Sequence, residues 1–131
     1  MDPVVHFEFP YENRERIVAF YRTAFDWEMQ VLGEDMGHYV LATTAKPGSE
    51  KAPPDAARGA INGGFYQRNN DWPAQYPSVV IAVQDIQASM RKVKEAGGEV
   101  LGEPMEIPGV GQYVSFFDTE KNRVSLLQPK M

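Results

Sequence analysis

The strongest constraint on this chain is a pattern that occurs twice. In the first half, His6 lies on a candidate strand seven residues before Asn13, and in the second half Ser78 lies seven residues before Asp85. Asn and Asp are favoured helix N-caps, and apolar residues at helical spacing follow each of them. Because the two halves can be aligned on this register, the sequence predicts a duplicated unit.

The first half begins with an alternating segment. Over residues Val4–Pro10, Phe7 and Phe9 lie on one face, whereas His6 and Glu8 lie side by side on the other face. Alternation of this kind is typical of a half-buried strand. The remaining predicted elements of this half are a helix over Arg14–Phe25, strands over Trp27–Leu32, Tyr39–Thr44 and Ala60–Gln67, and a Pro-rich loop over Lys46–Arg58.

The second half repeats the order of elements. Its predicted elements are a strand over Ser78–Val83, a helix that begins after Asp85 and ends near Gly97 and Gly98, and strands over Glu99–Gly102, Tyr113–Phe117 and Arg123–Gln128, with a hairpin turn at Gly109–Gly111. Each half is therefore predicted to be a β-α-β-β-β module, and the α+β class follows. The modules are expected at about residues 1–67 and 78–131.

The segment between the modules, at about residues 68–77, is predicted to be a linker. It contains Trp72 and Tyr76, which could form an aromatic flap or pack against the surface. The 131 residues, of which 43% are hydrophobic, are enough for one core and fit a single domain over residues 1–131.

Composition excludes several classes of function. The absence of cysteine rules out disulfides, thiolate zinc sites and a cysteine nucleophile, and favours a reducing compartment. The longest apolar run, Val79–Val83, is far shorter than the roughly 18 residues of a membrane span, and the first residues do not resemble a secretory signal. We therefore expect a cytoplasmic protein. A net charge of -5 argues against nucleic acid as a partner.

Several short motifs together resemble one superfamily. They are Val4–Pro10, Phe20–Tyr21 with Phe25–Trp27, Val83–Ile86, Ala96–Gly98, Asp118–Asn122 and Leu126–Pro129. Their order and spacing resemble the vicinal-oxygen-chelate superfamily, which contains glyoxalase I, bleomycin-resistance proteins, extradiol dioxygenases and fosfomycin-resistance enzymes. The segments Ile61–Gly64 and Ile107–Gly111 are most similar to stand-alone glyoxalase-related proteins of unassigned chemistry.

The resemblance implies paired βαβββ modules whose eight strands form an open, incomplete barrel with a cleft, commonly within a homodimer. In metal-dependent members, the ligand positions would correspond to His6, the vicinity of Gly63 and Gly64, Ser78 and Ser125. Imidazole and carboxylate groups are good ligands for divalent ions, whereas serine hydroxyls are poor ones. We therefore expect no metal and no cofactor, although Glu8 could supply a second donor beside His6.

His6 and Glu8 are the candidate catalytic residues. With an ordinary pKa of about 6.5, a neutral His6 could act as a general base, although a hydrogen-bonded structural histidine is the alternative. Glu8 could be solvated on an open sheet face, or it could pair with a cation if the face is covered. The candidate ligand-binding residues are Asn62, Ser78, Gln112 and Ser125, which offer hydrogen bonds without strong chemistry.

These observations predict a protein that binds a small molecule. It would act by sequestration, as the bleomycin-resistance type does, or as a metal-independent lyase or isomerase that uses His6. One alternative is a metal-dependent glyoxalase-type lyase or dioxygenase whose site is completed by Glu8 or by a partner subunit. The other is a non-catalytic interaction module, in which side chains of the protein would fill the pocket.

Overall fold

A computed structural model describes residues 1–45 and 59–130 of the chain. They form two compact units, one over His6–Pro77 and one that combines residues 1–5 with the chain from Ser78 onward. Each unit contains one α-helix and strands in the predicted order, and the first also has a 3-10 helix at Glu34–Met36, which confirms the α+β class and the two βαβββ modules. The predicted loop over residues 46–58 lies outside the described residues. In the described part of the chain, no helix is long and apolar enough to cross a membrane.

The first module consists of four strands and one long helix. They are β1 (Val4–Tyr11), α1 (Arg14–Phe25), β2 (Glu28–Val31), β3 (Val40–Thr43) and β4 (Asn62–Gln67). The strand order is β2-β3-β4-β1. Strands β1 and β4 are parallel, whereas β2–β3 and β3–β4 are antiparallel.

Helix α1 has the bounds that its cap and apolar spacing predict. The Asn13 side chain accepts a hydrogen bond from the Arg16 amide at 2.9 Å, which satisfies one of the free N–H groups of the first turn. The helix ends at Asp26, which adopts a left-handed conformation with φ 61° and donates its N–H to the Arg22 carbonyl. Buried residues of the sheet and the helix form the core of this module: Tyr11, Val18, Val40, Ala42 and Phe65.

Aromatic rings fill much of this core. Phe65 is fully buried, and its ring centroid lies 5.3 Å from that of Tyr21 and 5.9 Å from that of Phe9. Tyr21 in turn stacks on Trp27 at 4.6 Å with an angle of 8° between the rings. The aromatic side of the sheet is therefore packed against α1, and the opposite side of the sheet carries the polar residues of β1.

The second module repeats this arrangement. Its elements are β5 (Ser78–Ala82), α2 (Ile86–Glu95), β6 (Glu99–Ile107), β7 (Gly111–Phe117) and β8 (Arg123–Pro129), in the strand order β5-β8-β7-β6. The predicted N-cap is confirmed, since Asp85 accepts from the Ala88 amide at 3.1 Å. The Gln128 side chain also accepts from the Ile86 amide at 2.8 Å, so β8 helps to fix the start of the helix.

Strand β6 is longer than the predicted Glu99–Gly102. Its pairing with β7 shifts in register between Leu101 and Met105, and Gly102 has φ 93°. The glycine marks an irregularity after which pairing resumes, so it does not end the strand. The predicted hairpin turn is confirmed: Gly109 has φ 76° and the Val110 amide donates to the Ile107 carbonyl at 3.0 Å.

The segment that follows β4 is held together by Gln75. This side chain is buried, accepts from the Asn69 amide at 2.8 Å and donates to the Trp72 carbonyl at 3.1 Å. The Trp72 ring lies 6.5 Å from the ring of Tyr66. The first of the two linker aromatics therefore packs against β4 of its own module, whereas Tyr76 is largely exposed.

Candidate active site in the first module

Strand pairing brings several polar residues to the sheet face opposite α1. His6 pairs with Asn62 and Glu8 pairs with Gly64 in the parallel β1–β4 ladder. Laterally paired residues of adjacent strands point to the same side, so these four residues share one face. Tyr39 directly precedes β3 and lies two residues before Leu41, which also pairs with Gly64, so Tyr39 belongs to this face as well.

A chain of two hydrogen bonds connects the candidate catalytic residues. His6 Nε2 lies 2.8 Å from the Tyr39 hydroxyl, and that hydroxyl donates to Glu8 Oε2 at 3.1 Å. Glu8 is only 7% exposed. The interpretation of Glu8 as a solvated carboxylate is therefore wrong, because its carboxylate is buried and hydrogen-bonded. The structure brings His6 and Glu8 together through a third residue.

Burial affects the protonation of His6. The partial burial of the imidazole lowers its pKa below the ordinary value of 6.5, because the cation loses hydration. His6 is therefore neutral at physiological pH, which is the form that a general base requires. Neutral imidazole also offers one nitrogen as a hydrogen-bond donor and the other as an acceptor.

This shift in pKa predicts a pH dependence of stability. Below about pH 6.5 the unfolded chain protonates His6 while the folded chain still keeps it neutral, so acid favours unfolding. We expect the free energy of unfolding of wild-type protein to fall relative to that of His6→Gln as the pH decreases through this window. Urea unfolding of both proteins between about pH 5 and about pH 8 measures the difference. A difference that is constant with pH would contradict the predicted shift.

Gly64 makes room for the Tyr39 ring. A Cβ atom on Gly64 would lie 2.2 Å from three atoms of the Tyr39 side chain, which are two ring carbons and the hydroxyl oxygen. No ordinary contact is that short, so any side chain at this position would displace the ring. The glycine is thus a steric requirement of the His6–Tyr39–Glu8 chain.

We expect Gly64→Ala to destabilise the protein by about 1 to 3 kcal/mol, because the added methyl group overlaps the Tyr39 ring. In a Tyr39→Ala background the same change should cost much less, since the overlapping ring is gone. A double-mutant cycle by urea unfolding measures this coupling. Equal costs in both backgrounds would show that the ring is not what Gly64 accommodates.

The described residues of this module do not fit a divalent metal ion. His6 and Glu8 offer two donors, and Gly64, on the paired strand, cannot accept a ligating side chain while the Tyr39 ring is in place. Among residues 1–45 and 59–130 no group of three His, Asp or Glu side chains is arranged to hold a metal. Stable sites for such ions use three or four protein donors, so the two donors His6 and Glu8 are too few.

Asn62 shares the face of His6 but has a structural contact. Its Oδ1 accepts hydrogen bonds from the amides of Thr44 and Ala45, both at 2.9 Å. The Thr44 hydroxyl also donates to the Ile61 carbonyl at 2.6 Å. The side-chain oxygen of Asn62 therefore ties the end of β3 to the start of β4. The role of Asn62 in ligand binding stays a prediction.

The second module carries its own polar cluster. Ser125 and Ser115 are buried, and their hydroxyls lie 3.0 Å apart. The Tyr113 hydroxyl lies 2.7 Å from the Ser125 hydroxyl, and an Arg123 N–H donates to Ser115 at 3.5 Å. Ser125 is thus hydrogen-bonded within the sheet of its own module.

The other two candidate residues of the second module lie on different faces. Val80 pairs with Ser125, so Ser78, two residues before Val80, is on the Ser125 face of β5. Gln112 pairs with Gln128, and it is three residues from Ser115, the partner of Ser125. Alternation therefore puts Gln112 on the face opposite Ser125, and the structure does not bring these two residues together.

Sequence reasoning missed Tyr39 as a site residue. Tyr39 falls within a predicted strand, but alternation alone does not tell which residues of a neighbouring strand lie beside it. The information lay in the combination of Gly64 with an aromatic residue on the adjacent strand, since Leu41 pairs with Gly64 and a glycine within a strand indicates a close approach.

The duplicated modules and the polar face of β1 define an α+β protein built from βαβββ units. The chain belongs to the Glyoxalase/Bleomycin resistance protein/Dioxygenase superfamily, whose sequence model matches residues 4–126. This membership confirms the resemblance that the sequence motifs indicate.

Curated relatives match only part of the chain. A protein named putative glyoxylase CFP32 from Mycobacterium tuberculosis (strain CDC 1551 / Oshkosh) is 39% identical over 51 residues. The aligned region covers 39% of this chain and 20% of that protein. The match thus spans a small part of the relative and supports family membership.

Solved structures match nearly the whole chain at low sequence identity. Hypothetical protein BH1468 from Bacillus halodurans C-125 has a TM-score of 0.68 at 12% identity, with coverage of 99% of this chain and 96% of that one. Methylmalonyl-CoA epimerase from Mycobacterium tuberculosis also has a TM-score of 0.68, at 13% identity, with coverage of 98% and 88%. At this identity the likeness shows a shared fold.

Proposed function

We propose that this protein binds a small molecule on the polar face of its first module and moves a proton on that molecule without a metal ion. The observation that carries the proposal is the hydrogen-bonded chain from His6 through Tyr39 to the buried carboxylate of Glu8. A neutral imidazole accepts a proton, and a carboxylate nearby stabilises the imidazolium that forms. The chemistry is that of a lyase or isomerase.

The substrate class follows from the strength of the base. An imidazole can remove a proton from carbon only when the carbanion is stabilised, as it is next to a carbonyl group. In the proposed step, the C–H proton moves to His6 and the electron pair delocalises onto the carbonyl oxygen. Return of a proton from the solvent to the same face of that carbon gives exchange, and return to the opposite face inverts its configuration, which is an isomerisation. Methylmalonyl-CoA, named in a structural neighbour, belongs to this class of carbon acids.

The test is exchange of hydrogen for deuterium in heavy water. Wild-type protein would be incubated with a panel of thioesters and α-hydroxy ketones, methylmalonyl-CoA among them, and deuterium at the acidic carbon measured by NMR. We expect protein-dependent exchange in at least one member of the panel, above the rate with heat-denatured protein. Panel members that bind without exchange would instead indicate a sequestering protein, and no binding at all would count against both functions.

We also propose that the protein is a cytoplasmic homodimer. Phe20 and Phe25 on α1 are 58% and 60% exposed, and exposed apolar side chains of this kind are common at interfaces between subunits. Measurement of the molecular mass in solution by light scattering tests the dimer directly.

A further inference from the structure

The Tyr39 hydroxyl has one proton, and that single proton limits how the whole chain can be arranged. When Glu8 is ionised, its carboxylate can only accept, so the hydroxyl donates its proton to Glu8. The contact between Tyr39 and His6 at 2.8 Å then needs its proton from the histidine. His6 Nε2 must therefore be the protonated nitrogen.

We infer that Tyr39 is a positioning residue that holds neutral His6 in the tautomer with the proton on Nε2, so that Nδ1 carries the lone pair that accepts a proton from the substrate. The tautomer of a histidine is set by the hydrogen bond that one of its nitrogens makes. Here the Tyr39 hydroxyl can only accept from His6, because it donates its own proton to Glu8. The use of Nδ1 as the base rests on the proposed function, whereas the assignment of the tautomer does not depend on it.

The surroundings of Tyr39 support a fixed orientation of the ring. Gly64 leaves the space that the ring occupies, with no room for a Cβ atom. The rings of His6 and Tyr39 are nearly parallel, with an angle of 19° between them and 6.4 Å between centroids. The Tyr39 hydroxyl therefore reaches both Nε2 and Oε2 from one ring position, and both hydrogen bonds depend on it.

The same geometry describes what happens when His6 accepts a proton. The imidazolium keeps its Nε2–H bond to Tyr39, and Tyr39 keeps its bond to Glu8, so no group has to move. The positive charge then has a buried carboxylate on the other side of a single hydroxyl. Preorganised partners of this kind stabilise developing charge without reorganisation.

The test reads the tautomer directly. The chain contains two histidines, so protein labelled at its histidine nitrogens gives a simple spectrum, and His38→Asn assigns the signals. Long-range proton–nitrogen correlation NMR at neutral pH should show His6 with Nε2 protonated. Tyr39→Phe should change the ratio of the two tautomers by about fivefold, the factor that corresponds to a hydrogen bond of about 1 kcal/mol. Glu8→Leu should also raise the Nδ1–H form, because the Tyr39 proton becomes available to Nε2.

Tyr21→Phe is the matched control. It removes the same hydroxyl from the same module, on a ring that stacks on Trp27 in the core, and should leave the tautomer of His6 unchanged. Wild-type His6 protonated at Nδ1, or a ratio that Tyr39→Phe does not change, would overturn the inference. The readout needs no substrate. If the expected tautomer is observed but no deuterium exchange occurs, the proposed function is rejected and the role of Tyr39 as a positioning residue is retained.

Discussion

Replacement of His6 by alanine is expected to reduce protein-dependent deuterium exchange by a factor of about 10² to 10⁴, the usual contribution of a general base. Stability should change by less than about 1.5 kcal/mol, because the change removes a single neutral hydrogen bond and Tyr39 keeps Glu8 as its partner. Exchange rates measured by NMR and urea unfolding of the same samples separate the two effects.

The other histidine provides the control for this experiment. His38 lies in the turn before β3 with φ 57°, a left-handed conformation that asparagine also tolerates. His38→Asn should therefore preserve both exchange and stability. If His6→Ala keeps full exchange, or if it loses stability by several kcal/mol, His6 is a structural residue and the proposal fails.

Replacement of Phe65 by alanine is expected to destabilise the protein by about 3 to 5 kcal/mol, the typical cost of removing a fully buried aromatic side chain. The ring contacts Phe9 and Tyr21, so its loss leaves a cavity between the sheet and α1. For a domain of this size, such a cost corresponds to a decrease in melting temperature of roughly 10 to 20 °C. Thermal and urea unfolding both measure it.

Tyr76→Ala is the corresponding control, since it removes an aromatic side chain from a position that is 71% exposed. It should cost within about 1 kcal/mol, as surface substitutions usually do. Similar losses for both variants would mean that the aromatic cluster does not form the core of the first module. A small loss for Phe65→Ala alone would lead to the same conclusion.

Local signals were enough to predict most of the fold. The predicted bounds of α1 agree with the structure because the Asn13 cap and the apolar spacing both act within a few residues. The continuation of β6 beyond Gly102 could not be predicted, because pairing with β7 sustains the strand through a register shift. The short 3-10 helix at Glu34–Met36 was also missed, since three residues show no periodicity.

The candidate site was only partly accessible from sequence. Alternation in β1 places His6 and Glu8 on one face, and the hydrogen bonds of Tyr39 connect them. Tyr39 joins them only through the pairing of β3 with β4, which no local pattern contains. Gln112 illustrates the same limit, because its face depends on the register between β7 and β8.

The hydrogen bonds that Asn62 accepts have a consequence for engineering. Hydrogen bonds from the Thr44 and Ala45 amides to the Asn62 side-chain oxygen, and from the Thr44 hydroxyl to the Ile61 carbonyl, join the end of β3 to the start of β4. Insertion of a flexible peptide after Ala45 is expected to cost little, because each doubling of the length of a flexible connection costs only about 0.6 kcal/mol in closure entropy and these hydrogen bonds lie on either side of the insertion.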